Sequence, residues 1–234
     1  MGSGSGAIQP STKRLYEPEV PFEKATFGMG CFWAPEAMFG AAKGVLRTTV
    51  GFAAAAKKES ITYRSLSPGE EEEDEADHTE VTRVEYDPRE TNFKELLKLF
   101  WVHHDPTRQR GTKEYMSAIF CHDDVQETEA KQSLEEHRKN FRNPIVTKIL
   151  KLEQFYTAEE HHQKYRLQRK TALYASLVQS GMKDVSRSHV ATRLNGYVGG
   201  FGTLAAFDAE SGRLGLSADQ INAVRTLIRR GGAR

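Results

Sequence analysis

Residues 21–43, PFEKATFGMGCFWAPEAMFGAAK, have the pattern of a strand, a glycine turn and a helix in immediate succession. The strand is predicted within 21–30, and the helix over 32–43 tolerates Pro35 in its first turn, where no N–H is needed. Cys31 therefore stands at the helix N-terminus, where unpaired N–H groups and the helix dipole favour negative charge. We expect this position to lower the pKa of the thiol and to make it reactive as a thiolate.

The spacing alone leaves a second interpretation of Cys31 open. A free cysteine is most often a buried structural residue. Phe32 and Trp33 follow Cys31 directly and could instead form the wall of an apolar pocket around a reactive thiol. The residues of this segment do not decide between the two.

Strands and helices alternate along the chain after this segment. The predicted strands are 46–52, 79–86, 115–122 and 144–156, and the predicted helices are 91–103, 124–141 and 158–170. The last of these helices is expected to begin at a capping-box pattern, Thr157-Ala158-Glu159-Glu160. This alternation predicts an α/β fold with a mixed sheet.

The composition divides the chain into three parts. Residues 1–20 have the glycine, serine and proline content of a linker and an N-terminal arm. Residues 21–170 form the predicted main domain, and residues 171–234 form a C-terminal extension that we expect to pack on it. The extension holds a glycine-rich segment, NGYVGGFG (195–202), and a second capping-box pattern at Ser217 that predicts a final helix to about residue 230.

Charge and cysteine content exclude several classes of protein. Lys and Arg number 33 against 32 Asp and Glu, so the basic excess of a general nucleic-acid binder is missing. No apolar run reaches the ~18 residues of a transmembrane helix. Two cysteines are too few for a disulfide scaffold or a cysteine-only zinc site. Because no targeting signal is visible, we expect a cytoplasmic location, with an organelle and a removed transit peptide left open.

No metal site is predicted. The eight histidines include no pair with the spacing of a zinc helix motif. The acidic run Glu70–Glu75 lacks the spaced ligands and central glycine of a calcium loop, so we interpret it as a solvated segment of the long loop 53–78.

Several motifs in fixed order resemble those of the A-type peptide methionine sulfoxide reductases. GCFW with the following Glu36 is similar to the family's active-site signature, and the resemblance covers most of residues 25–170. The other matching motifs are VGF (50–52), ITYRS (61–65), DHTE (77–80), HDPT (104–107) with YMSAI (115–119), and AEEHHQKY (158–165).

This resemblance implies a fold and a reaction. The implied fold is a two-layer α+β sandwich with a ferredoxin-like core, and residues 21–170 become the catalytic domain. The implied reaction is the reduction of methionine S-sulfoxide, free or protein-bound, to methionine as a repair of oxidised proteins. The implied product on Cys31, the attacking nucleophile, is a sulfenic acid.

The resemblance also implies roles for further residues. Glu80 would protonate the sulfoxide oxygen, for which burial must raise the pKa of its carboxyl. Hydrogen bonds to the same oxygen would come from Tyr63 and Tyr115. The substrate-binding residues would be Phe32 and Trp33, which hold the methyl group, and His162, which we expect to hydrogen-bond within the core near the active site.

Three segments depart from the family's pattern. Ala53–Ala56 replaces a glycine pair, the loop before Glu80 is longer, and the loop from Thr107 to Tyr115 is shorter and lacks an aspartate. These changes keep open a non-catalytic relative that binds methionine-like side chains. A cysteine hydrolase, in which Cys31 works with a histidine, is a second alternative.

The recycling of Cys31 depends on the second cysteine. Cys121 lies in a predicted buried strand, and Val198 stands where many relatives carry a resolving cysteine. We therefore expect no cofactor and an external thiol reductant, such as thioredoxin, glutathione or dithiothreitol. Cys121 is the weak candidate for a resolving cysteine. The expected partners are oxidised proteins or peptides, without nucleic acid or membrane, and the expected state is a monomer.

Overall fold

The computed structural model describes residues 14–54, 78–108 and 111–231. They form a six-stranded sheet in the order β5-β4-β1-β3-β2-β6, in which every neighbouring pair is antiparallel except β4 and β5. The strands are β1 (Glu23–Met29), β2 (Val45–Ala54), β3 (His78–Tyr86), β4 (Ser117–Cys121), β5 (Lys148–Lys151) and β6 (Gln154–Thr157).

Eight α-helices and two 3-10 turns accompany the sheet in these described ranges. The helices are α1 (Trp33–Ala41), α2 (Phe93–Val102), α3 (Asp124–Arg138), α4 (Tyr165–Gln168), α5 (Thr171–Gln179), α6 (His189–Val198), α7 (Leu204–Ser211) and α8 (Ala218–Arg229). The turns are Lys113–Tyr115 and Glu160–His162. None of these helices combines the length and the apolar character that a membrane crossing requires.

The predicted α/β class with a mixed sheet is confirmed. In the described ranges the strands and α-helices up to β4 run β1-α1-β2-β3-α2-β4, and these strands take the order β4-β1-β3-β2 with antiparallel neighbours. This is the ferredoxin-like arrangement. The capping box predicted at Ser217 is also present, because its side chain accepts from the Gln220 N–H and the Gln220 side chain accepts from the Ser217 N–H.

Two predicted elements are wrong. The single strand at 144–156 is two short strands on opposite edges of the sheet, since β5 pairs with β4 and β6 pairs with β2. The helix over 158–170 is reduced to the short helix α4. Gln163 explains this, because its side chain bonds the backbone N–H and C=O of Val50 and the carbonyl of Ala158. These tertiary bonds hold the chain in an irregular conformation in which Lys164 has a positive φ of 48°.

Two apolar cores meet at α1. The first lies between the sheet, α1 and α2, where Phe27 stacks on Phe39 with ring centroids 4.9 Å apart. The second lies among α4 and the helices α5 to α8 of the extension, around Leu194 and Phe207. α6 packs closely on α1, and a Cβ on Gly196 would come within 2.4 Å of the Ala41 nitrogen. The extension therefore supports the helix that follows Cys31, while the domain boundary near residue 170 stays a prediction.

A buried ion pair joins α1 to the rest of the molecule. The ammonium of Lys164 lies 3.3 Å from Glu36 Oε1, and both side chains are fully buried. The other carboxylate oxygen, Oε2, accepts from the backbone N–H of Lys164 at 2.7 Å. Lys164 Nζ also donates to the carbonyls of Thr48 in β2 and Ser186 in the extension. One side chain thus connects α1, the sheet and the extension.

Burial disfavours the charged form of each side chain in this pair. Desolvation raises the pKa of Glu36 and lowers the pKa of Lys164, while their mutual attraction acts in the opposite direction on both. Removing one partner leaves an uncompensated buried charge, whereas removing both leaves none.

We predict that Lys164→Met lowers the free energy of unfolding by about 3–5 kcal/mol, because the Glu36 carboxylate loses its partner. The double variant Glu36→Gln/Lys164→Met should recover at least half of that loss. Urea denaturation followed by circular dichroism measures both. Lys98→Met is the control, since the exposed Lys98–Glu95 pair is worth less than about 1 kcal/mol. A double variant as unstable as Lys164→Met alone would contradict this explanation.

Candidate active site

Cys31 lies in the turn between β1 and α1, directly after Gly30. Gly30 has a positive φ of 83°, a conformation that favours glycine. The backbone N–H of Trp33, the first residue of α1, hydrogen-bonds the Cys31 sulfur, and the thiol is exposed to solvent. The predicted position at a helix N-terminus is therefore present.

The predicted direction of the Cys31 pKa shift is wrong. Partial burial of the sulfur raises its pKa, and the negative charge of Glu80 raises it further. The Trp33 N–H and the positive charge of Arg166 lower the pKa, but they do not outweigh desolvation. Loss of water around the sulfur therefore exceeds the gain from the helix N-terminus.

Glu80 lies in β3 with only 8% of its surface exposed. Burial raises the pKa of its carboxyl to about 7, and the nearby carboxylate of Glu114 also raises it. The backbone N–H of Phe32 donates to Glu80 Oε2 at 3.0 Å and acts in the opposite direction. The carboxyl group is therefore held beside the residue that follows Cys31, and it carries a proton in a large fraction of molecules at neutral pH.

Tyr115 lies in the 3-10 turn Lys113–Tyr115 rather than in the predicted strand, because β4 begins only at Ser117. Burial and the charges of Glu80 and Glu114 raise the pKa of its phenol to about 12, and Cys31 adds to this effect. The phenol is therefore protonated at neutral pH and can donate a hydrogen bond. The electrostatic influence of Cys31 and Glu80 on Tyr115 puts these three side chains in one site.

Glu114 is a site residue that the sequence analysis missed. Its carboxyl is half-buried, hydrogen-bonds Tyr115, and acts on the pKa values of Cys31 and Glu80. Burial raises the pKa of Glu114 itself. Its position next to Tyr115, in the loop from which an aspartate was missing, was the signal that could have identified it.

The two aromatic residues after Cys31 have different environments. Phe32 is only 2% exposed and packs with Val50, Phe52 and Ala158, so it can serve only as an inner wall. Trp33 is half-buried and stacks on Tyr165 with ring centroids 3.9 Å apart and planes within 6° of parallel. The indole is thus held flat beside the thiol by a residue that the sequence analysis did not select.

His162 belongs to the same aromatic group. Its ring lies 5.6 Å from Phe32 and 6.0 Å from Trp33 between centroids. Its Nδ1 is buried without a hydrogen-bond partner in the described part of the chain, and its Nε2 is 4.0 Å from Glu159. Burial lowers the pKa of this imidazole, which favours its neutral form.

The remaining predicted residues lie elsewhere or outside the described ranges. Cys121 is 1% exposed within β4, as expected for a core residue, and burial raises the pKa of its thiol to about 12. Tyr63 and the acidic run Glu70–Glu75 fall outside the described residues, while Ala53 and Ala54 extend β2. Within 14–54, 78–108 and 111–231, no group of three or more His, Cys, Asp or Glu side chains could hold a metal ion.

Comparison with known proteins agrees with this arrangement. A family model described as peptide methionine sulfoxide reductase matches residues 23–194, and one described as selenoprotein methionine sulfoxide reductase A, helical domain, matches residues 181–229. A peptide methionine sulfoxide reductase of Drosophila melanogaster is 43% identical over 208 residues, which cover 88% of this chain and 80% of that protein. Peptide methionine sulfoxide reductase A5 of Oryza sativa subsp. japonica is 38% identical over 213 residues, covering 84% and 80%.

Solved structures show the same similarity. Methionine sulfoxide reductase A of Corynebacterium diphtheriae superimposes with a TM-score of 0.55 at 28% identity, over 68% of this chain and 79% of that one. Mxr1 of Saccharomyces cerevisiae in its reduced form also has a TM-score of 0.55, at 29% identity over 67% of this chain and 90% of that one. The site around Cys31, the family model and these relatives together establish that the chain belongs to the peptide methionine sulfoxide reductase family.

Proposed function

We propose that this chain reduces methionine S-sulfoxide, free or in oxidised proteins, to methionine through a sulfenic acid on Cys31. Thiol-dependent reduction of methionine sulfoxide is the activity of its family. The observation that carries the proposal is the Glu80 carboxyl, whose pKa of about 7 and whose bond to the Phe32 N–H keep a proton donor beside Cys31.

The reaction moves one oxygen atom from the substrate to the enzyme. The Cys31 thiolate attacks the sulfoxide sulfur while Glu80 gives a proton to the sulfoxide oxygen, which makes that oxygen a better leaving group. The substrate S–O bond breaks, the protonated oxygen passes to the Cys31 sulfur, and the transient S–S bond breaks, so that methionine leaves and Cys31 becomes a sulfenic acid. The thiol is oxidised by two electrons and the sulfoxide is reduced by two, so this half of the cycle needs no other reactant.

The two groups affect each other's protonation. An ionised Glu80 raises the pKa of Cys31, so the thiolate is easier to form when Glu80 holds the proton. The proton that leaves Cys31 can reside on Glu80, where the sulfoxide oxygen needs it. The protonation of Glu80 is therefore linked to that of Cys31, and the reactive form holds one proton between the two groups.

Neutral side chains complete the site. Tyr115 donates a hydrogen bond to the sulfoxide oxygen without adding charge, and its high pKa keeps the phenol protonated. Trp33, held by Tyr165, and the inner wall of Phe32 offer an apolar surface to the methyl group of the substrate. The roles of Tyr63 and His162 in oxygen and substrate binding stay predictions from the resemblance.

The alternatives account for less of the site. A cysteine hydrolase requires an imidazole that accepts the proton of Cys31. His104 lies nearby, but its two nitrogens bond the Phe100 carbonyl and the Ser117 hydroxyl. A binding-only protein has no use for an acid with a pKa of about 7 beside a thiol. We further propose that an external thiol, with thioredoxin and glutathione as the candidates, returns Cys31 to its reduced state.

We predict that the purified chain converts methionine S-sulfoxide to methionine with dithiothreitol and that Cys31→Ser abolishes this turnover. Chromatography of free methionine measures the product. Cys121→Ala is the matched control, because that buried thiol has no role in the first step, and it should retain most of the activity. Turnover that survives in a folded Cys31→Ser variant would remove Cys31 from the reaction.

We predict a bell-shaped pH dependence of kcat/KM for the sulfoxide. One proton must leave the Glu80–Cys31 pair, so activity rises as the pH passes about 7. The second proton leaves above the usual thiol pKa of about 8.5, and activity then falls because no acid remains.

Glu80→Gln tests the assignment of this profile. In this variant kcat/KM should no longer rise near pH 7 and should increase only as Cys31 ionises. Its maximum should be lower by about 10²–10⁴-fold. Glu135→Gln, at an exposed position of α3, serves as the control and should keep the wild-type profile. If kcat/KM of Glu80→Gln still rises near pH 7 as in wild type, the proton lost there belongs to another group.

A further inference from the structure

Cys31 borders a second space on the side of α1. This cavity has a volume of about 270 Å³ and is partly open to solvent. It is lined by Met29, Cys31, Ala34, Pro35, Met38, His103, His104 and Phe201. Most of these side chains are apolar, and the imidazole of His103 lies exposed at the rim.

The cavity is separate from the groups assigned to the sulfoxide. Neither Glu80 nor Tyr115 lines it, and Phe32 and Trp33 do not line it either. Phe32 faces the cluster around Val50, and its N–H holds Glu80 on that side. Cys31 thus belongs both to the site with the acid and to a cavity that neither the acid nor the aromatic wall lines.

The chain itself supplies no second thiol at this place. It contains two cysteines, and Cys121 is 1% exposed inside the sheet. In the glycine-rich segment of the extension, Val198 is fully buried at the end of α6. Neither position offers Cys31 a second thiol, so a thiol from solvent needs an opening that reaches the sulfur.

The extension forms one wall of this opening. Phe201 follows α6 between Gly200 and Gly202, whose φ values are 88° and 77°, and its ring contacts His103 edge-on at 6.0 Å. The cavity is close to the lower limit of small-molecule sites, which span about 300–1,000 Å³. Its volume suits a small thiol.

We propose that this cavity, which Glu80 and Tyr115 do not line, binds the small-molecule thiol that regenerates Cys31. The inference rests on the proposed function and adds to it the binding place of the second substrate. The chemical class is a thiol of the size of glutathione or smaller, with its sulfur directed at Cys31 between Met29 and Pro35.

The regeneration balances with two thiols. The first attacks the sulfenic sulfur of Cys31, so that an S–S bond forms, the S–O bond breaks and water leaves. The second attacks the sulfur of the bound thiol in this mixed disulfide and releases the Cys31 thiolate together with a small-molecule disulfide. Two electrons pass from the two thiols to Cys31, and a proton returns to the pair with Glu80.

The test separates the two half-reactions, with glutathione as the probe. The first turnover, without thiol, is measured as methionine formed per chain after rapid quenching. Regeneration is measured as kcat/KM for glutathione at saturating sulfoxide. Ala34→Phe narrows the cavity, Phe201→Ala widens it, and Val102→Phe is the control because Val102 is 74% exposed and does not line the cavity.

We expect Ala34→Phe to lower kcat/KM for glutathione by about tenfold or more, with the first-turnover rate within about twofold of wild type. Phe201→Ala should change the KM for glutathione and leave the first turnover unchanged, and Val102→Phe should change neither. Because the two variants alter the cavity in opposite senses, a folding defect in one does not remove the test.

Three results would overturn the inference. In the first, kcat/KM for glutathione is the same in both variants as in wild type. In the second, the first-turnover rate falls together with kcat/KM for glutathione, which would place the sulfoxide in the cavity. In the third, only a protein thiol supports turnover. If the wild-type chain forms no methionine in the first turnover, the proposed function itself fails, and this outcome is distinct from the other three.

Discussion

The buried contact between Glu36 and Lys164 is the constraint on which the arrangement of this molecule depends. Glu36 lies one turn into α1, so the orientation of that helix is fixed from inside the protein rather than from its exposed end. Lys164 reaches the carbonyls of Thr48 and Ser186 with the same ammonium group. A shift of α1 would break bonds to the sheet and the extension together, and the direction in which Cys31 points follows from this.

Burial has the same effect on both reacting groups of the site. It raises the pKa of the Cys31 thiol and of the Glu80 carboxyl, and the negative charge of Glu80 raises the pKa of Cys31 further. A lone thiol with a raised pKa would be a poor nucleophile at neutral pH. Beside Glu80 the raised pKa values favour the reaction, because the proton that the sulfoxide oxygen needs stays in the site until the substrate binds. The helix N-terminus assists the thiolate through the Trp33 N–H, but it is not the dominant influence.

The sequence alone allowed most of the fold to be predicted and part of the site. β1, α1 and the capping box at Ser217 follow from local patterns, and these elements form where expected. The helix at 158–170 does not form, because the bonds of Gln163 to Val50 depend on a strand more than 100 residues away. Glu114 and Tyr165 were missed for the same reason, since their importance comes from what the fold places beside them. The pKa of Cys31 was predicted in the wrong direction because desolvation cannot be judged from sequence neighbours.

The central claim is that Cys31 and Glu80 together reduce a sulfoxide before any external thiol takes part. The most direct measurement mixes the fully reduced chain, freed of reductant, with excess methionine S-sulfoxide and determines both products by mass spectrometry. The account predicts one methionine per chain and one sulfenic acid, located on Cys31 and trapped by a sulfenic-acid reagent, with Cys121 unmodified. Methionine formation without oxidation of Cys31, or no methionine from a folded chain, would contradict it.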